Sequence, residues 1–160
     1  MAETVRHFTS SAYVVHQEKV LLHWHKKVME YLPPGGHIEP NEDPVGAALR
    51  EITEETGLEV DLYIGPTTHE FKFVYPKSIH SPEIILIEDI DDPSEGFHQH
   101  LDFIYICTPR SLENLKDGWE WFSKADLREG LTRESGKLWL PPPDVVELGC
   151  YAIDFVGGVR

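Results

Sequence analysis

Residues 44–56, PVGAALREITEET, constrain the fold of this chain more than any other stretch. An α-helix advances about 100° per residue. With Val45 set at zero, Ala48, Leu49 and Ile52 fall within roughly 60° of it, an apolar stripe wide enough to dock on a core. Glu51, Glu54 and Glu55 lie on the other side, over an arc of roughly 100°. The ends are legible too. Pro44 suits the first helical turn, where its missing N–H costs nothing. Asp43 is the expected N-cap. Gly57 is the expected left-handed residue that ends the helix.

A helix with one apolar face needs a partner layer, and the flanking residues offer strands. Residues 7–25 alternate as two strands around a turn at Gln17, Glu18 and Lys19, with Ala12–Val15 and Val20–Leu22 as their apolar parts. Residues 26–36 read as a loop, and Pro33-Pro34-Gly35-Gly36 as irregular chain. Beyond the helix, 59–64 and 67–75 read as strand, broken at Gly65-Pro66. Residues 83–88 form a short apolar run and 89–100 an acidic loop. Residues 101–107 and 119–122 are strands, and 123–127 a turn of helix. Residues 128–142 are irregular, and 144–155 have the spacing of a closing helix. The expected class is α/β, one domain over residues 1–160.

The charged face of the first helix carries the chemistry. Glu51 lies three residues before Glu54 and four before Glu55, so the three side chains converge. Glu42 and Arg50 join them. Like charges at this spacing repel by a few tenths of a kcal/mol per pair, a term that a cation would reverse. Hard divalent cations such as Mg²⁺ take oxygen ligands, and this cluster supplies them. The two glycines upstream permit close approach of backbone to a ligand.

The stretch GHIEPNEDPVGAALREITEETGL, residues 36–58, resembles the Nudix box. That pattern is Gly, five residues, Glu, seven residues, then Arg-Glu-apolar-any-Glu-Glu-any-Gly-apolar. Gly36, Glu42, Arg50, Glu51, Ile52, Glu54, Glu55, Gly57 and Leu58 fill every defined position. The resemblance implies a Nudix-type α/β/α sandwich with a mixed sheet. It implies hydrolysis of a nucleoside diphosphate linked to another moiety, with Mg²⁺ or Mn²⁺. It further implies that Glu54 and Glu55 ligate metal and that Glu51 ligates metal or serves as base. Arg50 would hold a glutamate, Glu42 would be an accessory ligand or a partner of Arg50, and the Gly35 carbonyl would complete the metal sphere. The run from Glu120 to Ser123, followed by Leu127, resembles the late strand and short helix of that family.

Outside the box, Glu120 is a second candidate base, with Glu113 and Asp117 behind it. His98 and His100, at a spacing that shares a strand face, are candidates for substrate contact. Either that pair or His23 and His25 could instead ligate a transition metal, though two imidazoles make an incomplete site. Tyr31, Trp24, Phe97 and Trp139 are candidates for stacking on a base, against the commoner fate of aromatics as core. The acids Glu88, Asp89, Asp91, Asp92 and Glu95 read as a solvated loop, with a second cation site as the alternative.

The net charge of −14 argues against direct binding to a nucleic-acid backbone but not against a nucleotide bridged to carboxylates by metal. The partner expected is therefore a small nucleotide-type molecule, a nucleoside tri- or diphosphate by preference. No apolar run is long enough for a membrane span, and no secretory leader is evident. Two cysteines build no disulfide framework, so a reducing cytoplasm is expected. The sequence allows a monomer or a homodimer. Two rival functions stand beside hydrolysis. An isoprenoid-diphosphate isomerase would need Cys107 facing the substrate. A non-catalytic nucleotide sensor would not need the full set of glutamates that this chain keeps.

Overall fold

The computed structural model describes residues 4–65, 71–132 and 136–158. Strands β1 (Arg6–His16) and β2 (Lys19–His25) form the expected hairpin. Its two turn residues, Gln17 and Glu18, both take positive φ, 47° and 57°, the twist a two-residue hairpin turn needs. Then come β3 (Glu30–Leu32), β4 (Gly35–His37), α1 (Pro44–Thr56) and β5 (Val60–Leu62). They are followed by β6 (Ile84–Asp92), β7 (Gly96–Pro109), β8 (Trp119–Ser123) and α2 (Lys124–Glu129). Short strands β9 (Leu131–Thr132) and β10 (Leu138–Trp139) precede α3 (Pro143–Gly157).

The sheet is mixed. Its main order is β3-β2-β1-β7-β5, with β4 on β1, β6 on β7 and β8 on β2. The β1–β7 pairing is parallel, and the others in this sheet are antiparallel. Strand alternation feeds two cores, one on each face. Ala12, Val14, Leu21, Tyr105 and Cys107 point to the side where Ala48 and Ile52 of α1 dock. Tyr13, Val15, Leu22, Ile104 and Ile106 point to the side closed by Leu127, Val145, Ala152 and Ile153 of α2 and α3. Helices on both faces of one sheet make the α/β/α sandwich.

Helix α1 ends where the sequence puts its ends. Asp43 Oδ1 accepts from the Gly46 N–H at 2.9 Å. Gly57 sits at φ 78° and donates its N–H to the Thr53 carbonyl at 3.0 Å. Helix α2 begins in a capping box between Ser123 and Asp126.

Several expectations are corrected. Gly35 and Gly36, read as irregular, begin strand β4 against β1, with Ser11 opposite Gly35 and Ser10 opposite Gly36. A side chain at Gly35 would collide with Ser11, its Cβ falling 2.2 Å from Ser11 Oγ, so the glycine lets the two strands close. Residues 30–32, read as loop, form β3. Residues 89–100 are no loop: β6 and β7 form a long hairpin that turns at Pro93–Glu95. Leu86, Glu88 and Ile90 share one face of β6 and Ile87, Asp89 and Asp91 the other, and the backbone ladder with β7 forms whatever the side chains are. Of the strand expected at 67–75, residues 67–70 lie outside the described residues, and 71–75 are not strand. Residues 128–142 hold β9 and β10. No described helix is long and apolar enough to cross a membrane.

Candidate active site

Arg50 organises the box glutamates. Its Nε donates to Glu42 Oε1 at 3.0 Å and its Nη2 to Glu42 Oε2 at 3.0 Å, a bidentate pair. Nη1 donates to Glu51 Oε1 at 2.8 Å and to Glu54 Oε2 at 3.2 Å. Nη2 also reaches the His37 carbonyl at 3.0 Å, which ties the cluster to β4. The guanidinium hydrogen bonds hold the Glu42 carboxyl below its ordinary range. The same contacts raise the pKa of Arg50. The expectation for Arg50 was one glutamate; it touches three.

Glu55 stands apart from Arg50. Its Oε2 accepts from the Gly35 N–H at 3.1 Å, and burial pushes its carboxyl upward. The end of the helix behind it is fixed from outside. Trp119 Nε1 donates to the Glu55 carbonyl at 3.2 Å, and Lys116 Nζ donates to the Glu54 carbonyl at 2.5 Å. The glutamates therefore form a cluster whose backbone is held and whose donors are all oxygen. Glu54 leaves 61% of its side chain exposed, so it is open to a ligand. This oxygen set fits a hard divalent cation, with Glu51, Glu54, Glu55, Glu42 and the Gly35 backbone as the groups available to hold it.

A cavity of about 280 Å³ opens beside Glu55, Gly35 and Gly36. Its other walls carry Thr9, Ser11 and Tyr13 of β1, Glu88 of β6, His100 and Asp102 of β7, and Asp144 at the start of α3. Asp102 is 4% exposed and accepts from Thr9 Oγ1 at 2.9 Å. Burial raises its carboxyl, against the lowering effect of hydrogen bonds from Ser11 and Thr9. Burial, then Asp102 and Asp144, push Glu88 up to about 7. Burial and the same acids raise Tyr13 well above its ordinary value. Three acids besides Glu55 thus line the cavity, with Glu88 protonating near neutral pH.

Sequence reasoning missed most of these groups. Glu88 sits in a stretch whose composition reads as a solvated acidic loop, and Asp102 sits inside an apolar strand. A single acid flanked by Leu101 and Phe103 was the available signal, since strands put such a residue on a face of its own. Asp144 was visible only as a residue after Pro141-Pro142-Pro143.

The remaining candidates divide. His100 lines the cavity, and its imidazole is pushed down to about 4 by burial and then by His37, His98 and His7. His98 is 4% exposed, with Nδ1 2.9 Å from the Gly96 carbonyl and Nε2 3.2 Å from His100 Nε2. It meets the cavity through His100. Tyr31 is 1% exposed, packed edge-on to Trp24 and Phe122, with its hydroxyl 3.2 Å from Glu120 Oε1. Tyr31 therefore presents no ring face for stacking. Trp24 packs edge-on to Trp139 in the same cluster, while Phe97 is exposed. Glu120 lies on β8 opposite Leu22. Its neighbours Trp119 and Trp121 face the α1 core, so Glu120 is directed to the Phe122 side, away from that core. Cys107 is fully buried in the α1 core and its thiol is raised to about 12. A buried, protonated thiol on that face cannot serve the isomerase chemistry.

A sequence profile of the NUDIX domain matches residues 5–141. A "Probable DHNTP pyrophosphohydrolase" of Lactococcus lactis subsp. cremoris (strain MG1363) is 30% identical over 101 residues, 61% of this chain and 51% of the relative. The match thus spans about half the length of that curated relative. A hydrolase of the NUDIX family from Clostridium perfringens has a similar solved structure, with TM-score 0.72 and 32% identity, covering 94% of this chain and 98% of the other. A NUDIX hydrolase from Nitrosomonas europaea, at 23% identity and TM-score 0.54, covers 97% of this chain and 91% of the other and agrees in fold.

Proposed function

The chain belongs to the Nudix family, and on that premise we propose that it hydrolyses a diphosphate bond in a small nucleotide-type substrate. The favoured class is a triphosphate carrying a heterocycle with N–H and amino groups, a nucleoside or pterin triphosphate. One observation carries this reading. One cavity is lined both by Glu55 and Gly35 and by Glu88, Asp102 and Asp144. Phosphates would lie beside Glu55 and Gly35, and Glu88, Asp102 and Asp144 would accept from ring N–H and amino groups. The relative named a probable DHNTP pyrophosphohydrolase supports the same reaction class. Pockets for drug-sized ligands run to about 300–1,000 Å³. The present cavity, at about 280 Å³, suits a bicyclic ring better than a whole dinucleotide.

In the proposed reaction, water attacks one phosphorus of the anhydride, one P–O bond forms and the bridging P–O bond breaks. A bound Mg²⁺ or Mn²⁺ would neutralise charge on the phosphate oxygens and lower the pKa of a coordinated water. Glu54 and Glu55 would hold it, with Glu42 and the Gly35 carbonyl as accessory donors. Glu51 is the proposed base and takes the proton of the attacking water; Glu120 is the second choice. Arg50 orients Glu51 through the 2.8 Å bond and spreads its charge over Glu42 and Glu54. His100, kept neutral, offers a hydrogen bond to the substrate rather than a charge. The two free cysteines suit a reducing, cytoplasmic setting.

The test is turnover of a panel of diphosphate compounds with Mg²⁺. Guanine-, adenine- and pterin-type triphosphates are expected to show higher kcat/KM than nucleotide sugars or dinucleoside polyphosphates. Turnover of nucleotide sugars alone would overturn the substrate assignment.

A further inference from the structure

We propose that His7, His98 and His100 form a site for one divalent transition-metal ion of the Zn²⁺, Co²⁺ or Ni²⁺ class, separate from the oxygen cluster of the helix. One ring nitrogen from each of the three lies within 4.8 Å of the other two. They come from two strands that pair in parallel, β1 and β7, with His7 directly opposite His100 in the register. His98 and His100 sit on one face of β7 because strand side chains repeat every second residue. The rings crowd together: centroids of His7 lie 4.6 Å from His98 and 5.9 Å from His100, and His98 lies 5.1 Å from His100.

The hydrogen-bond pattern around His98 is that of a metal ligand. Its Nδ1 lies 2.9 Å from the Gly96 carbonyl, an oxygen that can only accept. Nδ1 therefore carries the hydrogen, and in the neutral ring Nε2 keeps its lone pair. A ligating histidine commonly donates its other N–H to a backbone carbonyl in this way, which fixes tautomer and ring orientation. That Nε2 lies 3.2 Å from His100 Nε2. Two Zn–N bonds of about 2.0–2.1 Å at a tetrahedral angle set nitrogens about 3.4 Å apart. The observed spacing is close to that edge without rearrangement. His37 stands behind, its Nε2 3.2 Å from His7 Nδ1 and its ring 5.0 Å from that of His100. It can serve as the partner that orients His7.

Donor chemistry separates this site from the glutamates. Imidazole favours Zn, Ni and Cu, whereas an all-oxygen cluster favours Mg or Mn. The His site also touches the active site. His100 lines the cavity, and the His37 carbonyl accepts from Arg50 at 3.0 Å. An ion there would tie β1 to β7 at the cavity rim and hold the strand that carries Arg50's backbone partner.

The full chain would be titrated with Co²⁺ under excess Mg²⁺, following the visible absorption that nitrogen-rich Co²⁺ sites give, and with Zn²⁺ by calorimetry. One ion per chain is expected. Binding should persist in the Glu54→Gln, Glu55→Gln double variant and in His25→Ala. It should weaken at least about tenfold in His98→Ala and in His7→Ala, since even supporting groups of a metal site commonly cost that much. His7 is only partly buried, so its variant guards against a folding defect at His98. Zn²⁺ should also raise the melting temperature of the parent and not that of His7→Ala. Absence of binding under excess Mg²⁺ would overturn the site. So would binding that is lost in the glutamate variant and kept in His7→Ala.

Discussion

The Glu51 carboxylate occupies the space where Gly36 would otherwise carry a side chain: a Cβ on Gly36 would stand 2.4 Å from Glu51 Oε1. Backbone and carboxylate press together because β4 passes directly over the charged face of α1. The colliding atom is the end of a side chain, so the helix need not move to admit a methyl group. Gly36→Ala should therefore swing Glu51 out of its bond with Arg50 and spare the fold. The expected outcome is a loss of kcat of at least about tenfold, about 1.4 kcal/mol in the barrier. The melting temperature should fall by no more than a few degrees. Steady-state kinetics beside a thermal melt checks it, and unchanged kcat would show that Glu51 has no fixed part in the reaction.

Glu54 and Glu55 differ in setting though both are proposed ligands. Glu54 is largely exposed, while Glu55 is part-buried and holds the Gly35 N–H. Glu54→Gln and Glu55→Gln should each lower turnover at least about a hundredfold, because a metal contributes several kcal/mol of transition-state stabilisation. Chelator should abolish activity of the parent, and Mg²⁺ or Mn²⁺ should restore it. Glu54→Gln should leave stability unchanged or slightly improved, since one like-charge contact is relieved. Full turnover in chelator would remove metal from the mechanism.

The choice of base is open to the same kind of measurement. Removing a general base costs about 10²- to 10⁴-fold. Glu51→Gln should lose turnover, keep metal and substrate affinity to within a small factor, and show a flattened pH profile. Glu120→Gln should show a smaller loss, because its side chain is directed to the Tyr31 and Phe122 side of β8. A larger defect in Glu120→Gln with metal binding intact would reverse the assignment.

The helix, both of its caps and the glutamates were legible because each rests on local rules. Proline at the first turn, aspartate before it, glycine after it and a 100° step suffice to place Asp43, Gly57 and the carboxylate face. The cavity was not legible, because its acids are 14 to 56 residues apart, as the numbers of Glu88, Asp102 and Asp144 show. Only strand pairing brings them together: Leu86, two residues before Glu88, sits opposite Asp102 in the β6–β7 register. Asp144 arrives from a helix on another layer. The histidine cluster is hidden for the same reason. His7 and His100 are far apart in sequence and adjacent across parallel strands. The β6–β7 hairpin is masked in the sequence by its charge, although Leu86, Glu88 and Ile90 share the cavity side at strand spacing.

The acids of the cavity give a prediction about pH. The Glu88 carboxyl lies at about 7 in the fold, against an ordinary 4.5, because of burial first and then Asp102 and Asp144. Tyr13, which faces the same acids from β1, stays neutral throughout the range, since its own value is raised. A carboxyl raised in the fold binds its proton more tightly there than in the unfolded chain. Its contribution to stability is thus fully present below about 4.5 and is lost as pH rises through about 7. Glu88→Gln keeps the shape and removes that titration. The variant should match the parent near pH 4 and exceed it at pH 8. After allowance for solvent screening the difference is on the order of 1–2 kcal/mol. For a chain of this size that is about 2–8 °C in melting temperature. Melts of parent and variant across pH read the difference directly, with the other titrating groups common to both. A variant less stable than the parent at pH 8 would mean that Glu88 is ionised and compensated in the fold.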